Sequence, residues 1–194
     1  ILGGIRYFMH HEKKVAVKMK VIENEIRIVQ NSGILKGTVA YENLSTNFLS
    51  TILTDNKSLL VSKYGNQIKE AEILNRLVLY AKLFDWNEDK FLKFMLPSEK
   101  FNRDNKLVPT LVNQNVIEEG MGYWLLNHQR RMKVGEYENY KEHILKQFQL
   151  LELKPLIQKF GLKAVLSRAP ITVEGKTKES VKKIGTYYLN TFST

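Results

Sequence analysis

Residues 66–86, NQIKEAEILNRLVLYAKLFDW, decide how the rest of the chain can be arranged. Ile68, Ala71, Leu74, Leu77, Val78, Ala81 and Phe84 recur at three- and four-residue steps, the spacing of one face of an α-helix. Ile73, Leu79, Tyr80 and Leu83 widen that stripe, which predicts burial on more than one side. Asn66, after Gly65, fits an N-cap, and Glu70 and Glu72 stand near the positive end of the helix dipole. The other segments are expected to pack on this central helix.

Upstream of it, residues 5–42 read as β structure. Val15, Val17, Met19 and Val21 alternate with Ala16, Lys18 and Lys20, the period of a strand with one buried face. Glu23–Glu25 and Gln30–Gly33 supply turns, which predicts further strands over Ile26–Val29 and Ile34–Tyr41. Leu44–Leu53 is ambiguous between helix and its Ser/Thr-rich alternatives. Ser58–Tyr64 reads as a short strand, and Asn87 as the N-cap of a short helix that Pro97 ends.

Beyond residue 97 the pattern turns helical. Ser98–Thr110 is polar and reads as a linker or functional loop. Ile117, Met121, Trp124, Leu125, His128 and Met132 define one helical face, and Tyr137, Tyr140, Ile144, Phe148 and Leu151 a second. A short helix over Leu156–Phe160 closes at Gly161, Leu162–Arg168 adds a helical turn or two, and Thr177 caps a last helix. The expected fold class is α+β: an N-terminal antiparallel β-meander packed on the central helix, then a mainly helical C-terminal part. The expected organisation is a β-rich region over 1–97, a linker over 98–110 and a basic helical region over 111–194.

A chain of 194 residues is long enough for one sizeable core. It has no cysteine, which removes disulfides, thiol nucleophiles and Cys-ligated zinc, and which fits a cytoplasmic or otherwise intracellular setting. No apolar run is long enough to suggest a membrane span. The chain opens mid-pattern at Ile1-Leu2-Gly3-Gly4, as an excised domain of a larger protein would. Thirty Lys and Arg against 20 Asp and Glu give a net charge of +10, which favours a polyanionic partner. The surplus is uneven: residues 1–120 carry a net +3 and residues 121–194 a net +7.

That distribution selects the candidate site residues. Lys159, Lys163, Arg168, Lys178, Lys182 and Lys183 lie in a stretch with few carboxylates and suit backbone phosphates. Arg130, Arg131 and Lys133 follow Tyr123 and Trp124, a combination suited to phosphate contact and base stacking. Residues 153–169, LKPLIQKFGLKAVLSRA, have the outline of a helix-turn-helix, although Ile157, Ser167 and Pro170 fit that motif poorly. Arg6 and His11 have an Arg-x4-His spacing that resembles the core of the ribonuclease motif in HEPN domains. That family carries the motif at a helix, whereas residues 5–9 read as strand. No catalytic set, metal site, cofactor motif or phosphate loop stands out, and Gly175-Lys176-Thr177 lacks the upstream glycine of a P-loop. The expected function is a non-catalytic nucleic-acid-binding protein, for DNA or RNA, of replication, transcription control or a mobile element. The alternatives are a nuclease or nucleotidyl-transfer domain, and a structural domain that binds a protein partner or a second copy.

Overall fold

The computed structural model describes residues 2–34, 37–60, 70–96, 98–101, 107–108, 134–173 and 178–193. Helix α1 spans Leu2–Asn31, strand β1 Thr38–Tyr41, helix α2 Leu44–Leu53 and strand β2 Lys57–Ser58. Helices α3 (Glu70–Leu83) and α4 (Glu88–Met95) follow, then a two-stranded antiparallel hairpin of β3 (Ser98–Phe101) and β4 (Leu107–Val108). Helices α5 (Tyr137–Leu150) and α6 (Leu153–Lys159) lead into β5 (Leu162–Ser167), β6 (Lys178–Ile184) and β7 (Tyr187–Phe192).

The five main strands form one mixed sheet in the order β2-β1-β5-β7-β6. Strand β1 runs parallel to both β2 and β5, whereas β7 is antiparallel to β5 and to β6. The N-terminal antiparallel meander is therefore overturned: the sheet is mixed, its strands come from both ends of the chain, and helices occur throughout. Val15 and Val17, which set the alternating pattern, are exposed on α1. The period that governs burial starts later, with Ile22, Ile26 and Val29 at helical steps. Arg6 and His11 lie on this helix rather than on a strand.

The helical reading of the C-terminus is corrected as well. Leu162–Ser167 is a strand flanked on both sides, and all its residues but Lys163 are buried. A short apolar run covered on both faces has no alternation to separate it from a helix. This strand also removes the helix-turn-helix, since α6 is followed by β5 and not by a recognition helix. The segment read as a last helix is the β6–β7 hairpin. Ile184 pairs with Tyr187 across a two-residue turn, and Gly185 takes a φ of +61°, the positive value such turns favour.

Side chains on the two faces of the sheet enter different cores. Val39, Tyr41, Ala164, Leu166 and Leu189 pack with Val29 of α1. Ala40, Leu162, Val165 and Phe192 pack with Leu74, Leu77, Val78 and Ala81 of α3, Phe91 and Phe94 of α4, Ile144 and Phe148 of α5, and Leu156 and Ile157 of α6. The helix expected over 66–86 thus exists as α3 within the described residues and is buried as its wide stripe requires. Asn66 lies outside those residues. Asn87 caps α4 by accepting from the Lys90 N–H at 2.9 Å. Tyr80 of α3 donates to the Glu42 carbonyl at 2.5 Å, and Arg76 donates to the Leu59 carbonyl at 3.1 Å.

This packing predicts unequal costs for similar substitutions. Leu77→Ala, at a residue 2% exposed, is expected to cost about 2–5 kcal/mol in urea denaturation. Leu150→Ala, at a residue 64% exposed, is expected to change stability by less than about 0.5 kcal/mol. Equal losses at the two positions would contradict the arrangement.

Candidate nucleic-acid interface

A groove of about 540 Å³ runs between the C-terminal half of α1 and the end of β6. Its described lining is Asn24, Arg27, Ile28, Asn31 and Ser32 from α1 and the residues after it, with Lys182, Lys183 and Ile184 opposite. Three of these side chains are cations and none is a carboxylate. Arg27 and Lys182 are exposed, so their charges are available to a ligand in the groove. Lys20, Asn24, Arg27 and Asn31 follow one another at four-, three- and four-residue steps. They share a face of α1, and Lys20 extends the positive wall beyond the groove. Lys183 pairs with Tyr188 and shares its face of the hairpin, opposite to that of Lys182, with its ammonium 5.7 Å from the centre of the Tyr188 ring.

Only part of the candidate set is assembled here. Lys182 and Lys183 line the groove, and Lys178 opens the same strand. Their expected helical spacing is replaced by strand geometry, in which adjacent residues point to opposite faces. Lys163 is exposed on β5, and Lys159 ends α6, in the helical layer on the other side of the sheet, where it lies 5.5 Å from the centre of the Phe160 ring. Arg168 follows β5 and is exposed. Arg130, Arg131 and Lys133 lie outside the described residues. The sequence reading missed Arg27 and Lys20, because the strands assigned to residues 15–21 and 26–29 hid their shared helical face.

Next to the groove lies a second group of polar residues that the sequence reading also missed. Glu25 of α1 is only 3% exposed. The Thr46 hydroxyl donates to its carboxylate, and the polar Tyr187 and Asn43 side chains also favour its charged form. Burial pushes the Glu25 carboxyl above its usual range, while these groups and the nearby Arg168 charge pull the other way. Burial, then the charge of Glu25, raises the Tyr187 phenol, and the charge of Arg168 opposes this.

Local backbone geometry explains why these groups meet. Strands β1 and β5 are parallel, so their C-terminal ends lie on one edge of the sheet. The Glu42 N–H donates to the Leu166 carbonyl at 2.9 Å, and the Arg168 N–H donates to the Glu42 carboxylate at 2.6 Å. Helix α2 starts at this edge, with Asn43 as its N-cap accepting from the Ser45 N–H at 3.1 Å. Asn47 fixes the helix to β1: its side chain bonds both the N–H and the carbonyl of Tyr41.

No protein-family model, curated protein or solved structure matches this chain. Among the described residues no group of three His, Cys, Asp or Glu is placed to hold a metal, and no helix is long and apolar enough to cross a membrane.

The burial of Glu25 has a pH signature. The unfolded carboxyl titrates near 4.5, and the folded one higher. Between those values the folded chain holds more protons, so the contribution of Glu25 to stability falls as pH rises. Glu25→Gln removes this dependence. Its stability relative to the parent is expected to improve as urea melts are moved from about pH 4 to about pH 8. A difference that stays constant with pH would contradict the burial.

Proposed function

We propose that the chain binds nucleic acid through the groove between α1 and the β6–β7 hairpin. The observation that carries this reading is the lining itself: Arg27 and Lys182 beside three neutral polar side chains, with no carboxylate among the described lining residues. Phosphate contacts of this kind dominate affinity and position a strand without reading its sequence. The Asn and Ser side chains supply further hydrogen-bonding groups at the same surface. Lys20 lengthens the positive face along α1. A net charge of +10 adds long-range attraction for the same partner. Such a binding module suits replication, transcription control or a mobile element.

Fluorescence anisotropy against duplex DNA, single-stranded DNA and RNA across a salt series tests the proposal. Affinity is expected to fall linearly with salt on a log–log plot, and Arg27→Ala or Lys182→Ala each to lower the slope by about 1. Lys159→Ala, on the other side of the sheet, is expected to leave the slope unchanged. Absence of binding at low salt, or equal effects of all three substitutions, would overturn the groove as the binding surface.

A further inference from the structure

Helix α1 changes surroundings along its length. Ile22, Ile26 and Val29 are buried and anchor its C-terminal part. Before them, Val15, Ala16, Val17 and Lys18 are all exposed. Successive helical residues are turned by about 100°, so four in a row go right round the axis. The helix therefore stands clear of the sheet at this level. A single exposed valine is ordinary on any surface. What distinguishes Val17, 64% exposed, is its place among the cations of α1.

Arg6, Lys13, Lys20 and Arg27 occupy α1 at seven-residue steps. Val17, Asn24 and Asn31 repeat the same step, each three residues from a cation of the first set. Seven residues fall about 20° short of two full turns, so each set forms a row along the helix. The two rows lie about 60° apart. Arg27, Asn24 and Asn31 line the groove, so both rows lead out of it onto the projecting part of α1. Lys18 lies about 100° from Val17, on the side away from Lys20. Val17 thus has a cation on either flank, and Lys182 faces the same row from across the groove. Glu23, the exposed carboxylate of this stretch, lies beyond Lys20, about 120° from Val17.

We propose that this face of α1 lies in the major groove of duplex DNA. Val17 meets the base edges, Lys18 and Lys20 meet phosphates on either side, and one backbone strand continues into the groove between Arg27 and Lys182. The assignment rests on the groove as the nucleic-acid site and names its substrate class. An uncovered α-helix, about 10–12 Å across with its side chains, matches a B-DNA major groove about 12 Å wide. The major groove of duplex RNA is deep and narrow, and side chains cannot read it. Single strands are held largely by stacking on aromatic rings, and no aromatic residue lines the groove among the described residues. An apolar side chain at Val17 suits the thymine methyl group, which only the major groove displays.

The test measures anisotropy of the full chain with duplex DNA, duplex RNA and single-stranded DNA of one mixed sequence. Duplex DNA is expected to bind on the order of ten-fold more tightly than either of the others. A DNA duplex whose cytosines carry glucosylated 5-hydroxymethyl groups has its major groove filled and is expected to lose affinity on the order of ten-fold. Netropsin, which fills the minor groove, is expected to leave binding unchanged. Lys18→Ala and Lys20→Ala are each expected to lower the salt slope on duplex DNA by about 1. Uracil in place of thymine is expected to weaken the parent chain several-fold and Val17→Ala not at all. Equal binding of the glucosylated duplex, or displacement by netropsin, overturns the major-groove placement. Equal losses with uracil in the parent and in Val17→Ala overturn the role of Val17. Slopes that fall for Arg27→Ala and Lys182→Ala but not for Lys18→Ala or Lys20→Ala remove the helix from the interface and leave the groove standing. Absence of binding to all three nucleic acids removes both readings together.

Discussion

The burial of Glu25 is the constraint on which the arrangement around α1 depends. A carboxylate inside the apolar stripe of a helix is tolerable only where donors surround it. Here polar side chains come from two other elements, Thr46 and Asn43 at the start of α2 and Tyr187 at the start of β7. Rotating α1 by one residue would expose Glu25 and bury Asn24 in its place. The carboxylate therefore fixes which face of α1 meets the sheet, and by the same geometry which face carries Arg27 and its neighbours into the groove.

The parallel pair β1 and β5 delivers the remaining groups. Their C-terminal ends share an edge, so the start of α2 and Arg168 arrive together although far apart in the chain. Open sheets commonly place ligands at such edges. The antiparallel return through β6 and β7 brings the last hairpin back to α1, and with it Lys182 and Tyr187. One face of the sheet thus joins an exposed set of cations to a buried polar group. The other face is closed by α3 to α6 and provides the larger apolar core.

The legible parts of the fold were those with a long, wide helical period. Helix α3 is buried as its stripe requires, α5 follows the spacing of Tyr137, Tyr140, Ile144 and Phe148, and the Asn87 cap bonds as its position suggests. The illegible parts have physical reasons. Residues 15–21 alternate like a strand, but Val15 and Val17 project into solvent and Met19 and Val21 are only half-buried, so the alternation records no buried face. Leu162–Ser167 is buried on both sides and carries no period at all. In the last segment, apolar residues at Val181, Ile184, Tyr188, Leu189 and Phe192 satisfy a helical count, yet Gly185-Thr186 makes a two-residue turn. That glycine was the local signal for the hairpin. Among the residues that line the groove, Lys182 and Lys183 were candidates on charge alone. Arg27, Glu25 and Tyr187 were not, because their association depends on α1 being a helix packed against a hairpin.

The placement of α1 against that hairpin is the central claim, and the absence of cysteine makes it directly measurable. Ile28→Cys and Ile184→Cys, combined in one chain, put two thiols on opposite walls of the groove. A short bis-maleimide is expected to link them within one molecule, giving a faster band on denaturing electrophoresis that neither single substitution produces. Both thiols reacting separately with a monofunctional maleimide, without an intramolecular link, would contradict the packing and the groove built on it.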